Sequence, residues 1–265
     1  MITDDHAHLD HEWLLNKYND IDSYLKIQKE NGVKYIIANS VDRKVSQESL
    51  ALSASHEIVL PAIGIYPIDE LARETKKDDS QPFIPDYGII DEDMSWIKGN
   101  ASRAVAIGEV GLDFSNPEAD KRLQLYVFSR MIDVAISKSI PLIIHTRKAE
   151  AEVLELLEQK KAKKVVLHCF TGKKNLIEAA KQNGYYFSIP TNVVRSQQFQ
   201  MIVDKVDMSR ILTETDAPFL SPFKDEEPNE SRFISESLKT IAKIKGMEQD
   251  EAAKVIFQNF QRLYL

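Results

Sequence analysis

Short, continuously apolar runs rich in β-branched residues recur along the chain, and stretches with apolar residues three and four apart fill the gaps. The runs fall at 1–4, 33–39, 58–65, 104–109, 141–145, 164–168, 185–189 and 211–213. They do not alternate apolar with polar, as expected of parallel strands covered on both faces. Between them, Ile21, Tyr24, Leu25 and Gln28 share a helical face that stops at Gly32, and Leu123, Val127, Met131 and Val134 share another. Val153, Leu154, Leu156 and Leu157 mark a third helix, 175–183 a fourth ending at Gly184, and 231–244 and 249–257 the closing pair. Eight strands alternating with helices leave two α/β architectures open, a closed barrel and an open doubly wound sheet.

The residues at the strand ends separate them. His6 and His8, two apart on an extended segment, point the same way. Glu109, His145 and His168 end the fourth, fifth and sixth runs, and Asp216 follows the eighth. Side chains from strands 1, 4, 5, 6 and 8 can face one another only if the first strand closes against the last, since an open sheet spreads them over spacings of ~4.8 Å each. The expectation is a TIM-like (β/α)8 barrel over residues 1–265 as one domain, close to the ~250 residues the fold needs. The irregular interval 66–100, with helix-like 91–97, is read as a long loop over the mouth, and 219–231 as a second.

These donors suit two divalent cations, Zn, Mn or Mg. His6, His8 and Asp216 would hold one and His145 and His168 the other, while Glu109 bridges with its two oxygens. Two cations ~3.5–4 Å apart stabilise both the attacking and the leaving oxygen of a displacement. Asp216 can also accept the proton of the attacking water. Arg147, two residues past His145, offers a fork for phosphate, and Lys173 lies in the loop after strand 6. Taken singly, each residue has a plainer role. A lone His-x-His is often coincidental, His145 could be a hydrogen-bonded core residue, Glu109 an ion-pair partner and Asp216 a turn cap. Arg147 could simply pair with Asp113. The agreement of five strand ends favours the metal. His11 and His56 lack that placement and read as surface or supporting residues, the run 76–82 reads as a solvated loop, and Cys169, directly after His168, should face away from the mouth.

Composition narrows the setting. A formal charge of −7 argues against a broad basic surface that coats nucleic acid, though not against a locally positive cleft. The single cysteine permits no internal disulfide, the first apolar run is too short and acidic for a leader, and no stretch reaches the ~20 apolar residues of a span. The expectation is a cytoplasmic protein with no membrane association and no obligate protein partner.

Five segments, Asp5-His6-Ala7-His8-Leu9, Gly108-Glu109-Val110-Gly111-Leu112-Asp113, His145-Thr146-Arg147, His168-Cys169-Phe170-Thr171-Gly172 and Thr215-Asp216-Ala217-Pro218-Phe219-Leu220, resemble the TatD-type metal-dependent deoxyribonucleases of the amidohydrolase superfamily, in that family's order. The closing Asn259 to Tyr264 also looks like the family's last helix. The resemblance implies a TIM-like barrel of the metal-dependent hydrolase type, a metal pair, phosphodiester hydrolysis in DNA, and metal binding by His6, His8, Glu109, His145, His168 and Asp216. Two places depart from the family pattern. Gly64-Ile65-Tyr66-Pro67-Ile68 stands where the family has Gly-x-His-Pro-His, and Pro228-Asn229-Glu230-Ser231 stands where it has an Arg-Asn-x-Pro-like segment. Tyr66 then either donates to a phosphate oxygen or only lines the pocket. The rival functions are a superfamily enzyme cleaving a small amide, lactone or phosphotriester, and a metal-retaining scaffold without turnover. Many relatives bridge their metals with a modified lysine; here the strand-4 end offers Glu109, which favours phosphodiester hydrolysis.

Overall fold

A computed structural model of the chain describes residues 1–9, 12–68, 71, 84–223 and 228–265. Among them, eight strands run in sequence order around one parallel sheet: β1 Ile2–Ala7, β2 Val33–Asn39, β3 Val59–Ile63, β4 Ala106–Asp113, β5 Leu142–Arg147, β6 Val165–His168, β7 Tyr186–Pro190 and β8 Ile211–Glu214. The ring is drawn together at β1 and β8. The Asp216 N–H donates to the His6 carbonyl at 2.8 Å, the His8 N–H donates to the Ala217 carbonyl at 3.0 Å, and Ala7 and Ala217 form a parallel bridge. The architecture is the TIM-like barrel expected from the strand ends. Among the described residues no helix is long and apolar enough to cross a membrane.

The surrounding helices are α1 Glu12–Tyr18, α2 Ile21–Glu30, α3 Arg43–Ser55, α4 Tyr87–Asn100, α5 Lys121–Lys138, α6 Glu150–Gln159, α7 Lys174–Gln182, α8 Gln197–Lys205, α9 Ile234–Lys245 and α10 Gln249–Tyr264. Several start on a side-chain cap: Asp42 accepts from the Val45 N–H, Asp120 from Leu123 and Ser196 from Phe199.

Differences from the expected elements have local causes. β1 runs past residue 4 to Ala7, so His6 is a strand residue. β4 occupies 106–113 rather than 104–109: past a register shift between Ile107 and Val110 the strand continues pairing through Gly111 to Asp113. Helix α3 was not legible because its buried face is Val45, Ser46, Ser49 and Leu50, half of it serine. The helix expected at 231–244 begins as a 3-10 turn, Ser231–Phe233, before α9. The one expected at 249–257 continues to Tyr264. His11 and the run 76–82 lie outside the described residues.

The barrel interior is layered. Ile37, Ala62, Ala106, Ile143, Val166, Tyr186 and Leu212, one each from β2 to β8, form a cluster with Phe260 and Leu263 of α10. Asn259 on the same helix donates to the carbonyls of Met208 at 2.6 Å and Ile211 at 2.9 Å, which places α10 across the N-terminal ends of the strands. Side chains of a strand return to the same face every second residue. Two residues further along, those strands therefore present Asn39, Gly64, Gly108, His145, His168, Ser188 and Glu214. The apolar plug thus gives way to a polar layer near the C-terminal mouth, the face where sites of this fold occur. The glycines leave room in it. A Cβ on Gly64 would meet the Gly108 carbonyl carbon at 2.7 Å, and one on Gly108 would meet Ile143 Cβ at 2.8 Å and Asn39 Oδ1 at 2.9 Å.

Candidate metal centre

Glu109 sits at the middle of the mouth and turns its two oxygens in different directions. Oε2 lies 3.3 Å from His6 Nε2 and 3.9 Å from His8 Nε2. Oε1 lies 2.9 Å from His145 Nδ1 and 3.9 Å from His168 Nε2. Asp216 Oδ1 completes the first side, 3.4 Å from His8 Nε2 and 3.8 Å from His6 Nε2. The His6 and His168 rings stack at 3.7 Å between the two sides. His6, Glu109, His145 and His168 are all buried, while His8 and Asp216 are 15% and 17% exposed and face the opening. Six residues separated by up to 210 positions are therefore in one place, as the strand ends require. Asp216 reaches it with a left-handed backbone, φ 58°, a conformation aspartate tolerates better than most residues.

Two of the imidazoles are also held from behind. The His168 Nδ1–H donates to Glu214 Oε2 at 2.9 Å, and Glu214 Oε1 accepts the Cys169 N–H at 3.0 Å. His145 Nε2 lies 3.2 Å from Asp113 Oδ2, whose other oxygen accepts the Ser115 N–H at 2.8 Å. In each case one ring nitrogen is engaged by a carboxylate and the other faces Glu109, the arrangement that fixes the tautomer of metal-ligating histidines. Glu214 was missed in the sequence, where Asp216 drew attention; the two-residue step from buried Leu212 would have marked it.

Electrostatics inside this space are dominated by burial. Burial raises the Glu109 and Asp216 carboxyls, but the surrounding imidazoles and their hydrogen bonds outweigh it and hold both below the ordinary carboxylate range. His6 and His168 are pushed down, first by burial. Burial also lowers His145, yet hydrogen bonds to Asp113 and Glu109 more than reverse this and bring it to about 9. Asp113 is correspondingly held at about 2, its burial outweighed by His145 and Ser115. Glu214 is driven well above its usual value by burial, and a divalent cation held among the imidazoles would supply compensating positive charge. Three donor triads, His6–His8–Asp216, Glu109–His145–His168 and His6–His168–Glu214, each bring their ligand atoms within 4.8 Å of one another. Only nitrogen and oxygen donors take part, which fits the ions expected.

The mouth opens into a cavity of about 780 Å³ lined by His8, Glu109, His145, His168 and Asp216 below and by Val41, Tyr66, Thr146, Arg147, Cys169, Thr171, Phe219 and Leu220 around it. Tyr66 is nearly buried, its ring 4.7 Å from that of His145 and its hydroxyl 3.4 Å from His145 Nε2. Arg147 lines the cavity, 57% exposed, with Nη1 3.6 Å from Asp113 Oδ2, so the expected pairing with Asp113 and a place at the mouth coexist. Lys173 is exposed at the start of α7 and is not among the lining residues. Cys169 corrects an expectation: β6 ends at His168, the chain turns at Cys169 with φ 44°, and the residue lines the cavity instead of facing away. His56 caps α3 and pairs with Asp22 at 3.3 Å, outside the site.

An acid and imidazole cage at the C-terminal mouth of a parallel barrel places the chain among the barrel metallohydrolases. A family model described as TatD related DNase matches residues 3–265, and the chain belongs to that family. It is 33% identical to human deoxyribonuclease TATDN3, over 92% of this chain and 89% of that protein. It is 27% identical to the 3'-5' ssDNA/RNA exonuclease TatD of Erwinia tasmaniensis, over 92% of this chain and 93% of that one. The crystal structure of the Escherichia coli K12 TatD homolog YJJV superposes with a TM-score of 0.85 at 20% identity, covering 99% of this chain and 97% of the other.

Proposed function

We propose that this protein hydrolyses phosphodiester bonds in DNA with a water activated by two divalent metal ions. The observation that carries the reading is Glu109, one carboxylate with each oxygen turned to a different pair of imidazoles, a placement with a purpose if two ions lie on either side. His6, His8 and Asp216 would hold one ion, His145 and His168 the other. The pair, as Zn, Mn or Mg, would supply a water of lowered pKa and neutralise charge on the phosphate.

The chain's own residues do the rest. Asp216, kept ionised by the neighbouring imidazoles and open to the mouth, accepts the proton of the attacking water. Asp113 and Glu214 keep His145 and His168 in the ligating orientation. Arg147 presents its guanidinium to the substrate phosphate, with Asp113 limiting its freedom. The Tyr66 hydroxyl is positioned to donate beside His145. Lys173, outside the cavity, is left to phosphates further along a strand. The names of the human and Erwinia relatives support a nucleic acid substrate. The lone cysteine suits a cytoplasmic setting. Glu109 occupies the position between the two sides, and among the described residues the cavity lining includes no lysine, which disfavours the lysine-bridged amide and lactone hydrolases. Purified protein supplied with Mg²⁺, Mn²⁺ or Zn²⁺ should release nucleotides from DNA, and His6→Ala or Asp216→Ala should abolish release. Undiminished cleavage by either variant would overturn the assignment.

A further inference from the structure

The loop after β8 carries an aromatic side chain that the metal chemistry does not use. Phe219 is 52% exposed and lines the cavity, its ring edge-on to that of His8 at 6.4 Å. Its backbone is firmly held. The Phe219 N–H donates to the Asp216 carbonyl at 2.8 Å. Asn229 Nδ2, fully buried, donates to the carbonyls of Thr215 and Phe219, both at 2.7 Å. Thr191 Oγ1 donates to the Leu220 carbonyl at 2.9 Å, and Arg195 Nη1 to that of Ser221 at 2.6 Å. Hydrogen bonds from buried Asn229 and Thr191 and from Arg195 thus fix a ledge that leaves a large apolar ring half in water beside a proposed metal ligand. A flat apolar face that is 52% exposed on a rigid loop and lines the cavity is available to whatever enters the mouth.

The surroundings say what enters. Arg147, the cationic side chain among the lining residues, stands at the end of β5, three strands round the barrel from the loop that bears Phe219. A phosphate near Arg147, a scissile phosphate over Glu109 and a flat ring against Phe219 then follow one another across the mouth. Every nucleobase has a π-face that an aromatic side chain can stack on, but a base paired inside a duplex does not offer it.

Resting on the nuclease reading, we propose that Phe219 is the platform on which the nucleobase beside the scissile phosphate stacks, and that the enzyme thereby selects single-stranded or frayed strands. Phe219 is a specificity-determining residue in this scheme, with no part in the bond-breaking step.

The test is steady-state cleavage of a single-stranded oligonucleotide, the same strand with abasic residues flanking the cleaved bond, and a blunt duplex. Wild type, Phe219→Ala, Phe219→Leu and Phe219→Trp are compared, each with its metal content measured. Stacking on an aromatic side chain corresponds to roughly 5- to 100-fold. The Ala and Leu variants should raise KM on the intact strand by a factor in that range with kcat little changed, and Trp should retain the wild-type KM. On the abasic strand the same substitutions should lose most of their effect, and the preference for single strand over duplex should flatten. Equal losses on intact and abasic strands, or a Leu variant as good as Trp, would overturn the platform while leaving the nuclease standing. A wild type that cleaves no strand with any of the three metals would remove both.

Discussion

Glu214→Gln tests the metal centre at a residue that need not touch the metal. The carboxylate is fully buried and accepts two hydrogen bonds, from His168 Nδ1–H at 2.9 Å and from the Cys169 N–H at 3.0 Å. Glutamine has the same shape but offers one acceptor and one donor. If its NH₂ faces His168, that imidazole must turn its lone pair to Nδ1 and carry its proton on Nε2, the nitrogen that faces Glu109. The ring then cannot ligate. If the NH₂ faces Cys169, two donors confront each other in a dry space and a buried N–H loses its acceptor. Either outcome costs about 1.5–3 kcal/mol, or roughly 10- to 100-fold in affinity at 1.4 kcal/mol per decade, the range found when the partner of a metal-bound histidine is removed. The assay is titration of chelator-stripped protein with Mn²⁺ or Zn²⁺, with DNA cleavage followed at limiting and saturating metal. One ion should bind 10- to 100-fold more weakly, and saturating metal should restore turnover. Unchanged affinity for both ions would refute the assignment of Glu214 as the residue that orients His168.

Because the donors belong to the folded barrel, metal at 100 times its Kd should add about 2.7 kcal/mol, a rise in Tm of roughly 5 °C for a chain of this size, and chelation should reverse it in a thermal melt. Glu230, buried, accepts from Lys17, Tyr18, Gln28 and Arg232. Burial raises its carboxyl, but these partners outweigh burial and hold it below the ordinary 4.5. Its contribution is therefore complete above pH 4.5 and is lost as pH falls through the lower folded value. Glu230→Gln should cost about 2 kcal/mol at pH 7, and urea titrations should show the gap to wild type closing in acid; a gap that widens there would contradict the sign.

Much of this arrangement was legible in the residues. Continuous apolar runs ending in His, Glu or Asp required a closed barrel with its ligands at one mouth, since no open sheet gathers ends from strands 1, 4, 5, 6 and 8. What stayed hidden has specific causes. Helix α3 buries serines, so its apolar period is broken. β4 continues past the expected end at Glu109 through Gly111, a residue that weakens a strand pattern when the register shift is unseen. Glu214 and Asp113 act through histidines 46 and 32 positions away, so although the two-residue step from Leu212 turns Glu214 to the mouth, no local pattern reports which imidazole each carboxylate holds. Cys169 enters the cavity because the chain turns where the strand ends. The Arg147 alternatives, an ion pair or a place in the cleft, were not exclusive: its long side chain meets Asp113 and still reaches solvent.

The seam between β1 and β8 sets a condition on when the enzyme can act. His6 and Asp216 are joined by a main-chain hydrogen bond of 2.8 Å although 210 residues lie between them. During synthesis the first two imidazoles leave the ribosome long before their carboxylate partner exists. A nascent or truncated chain that stops short of the last strand therefore lacks Asp216, the carboxylate proposed to close the cage and take the proton of the attacking water. Hydrolytic power arrives only with topological completion, and a lesion that loosens the seam should disarm the protein before it unravels.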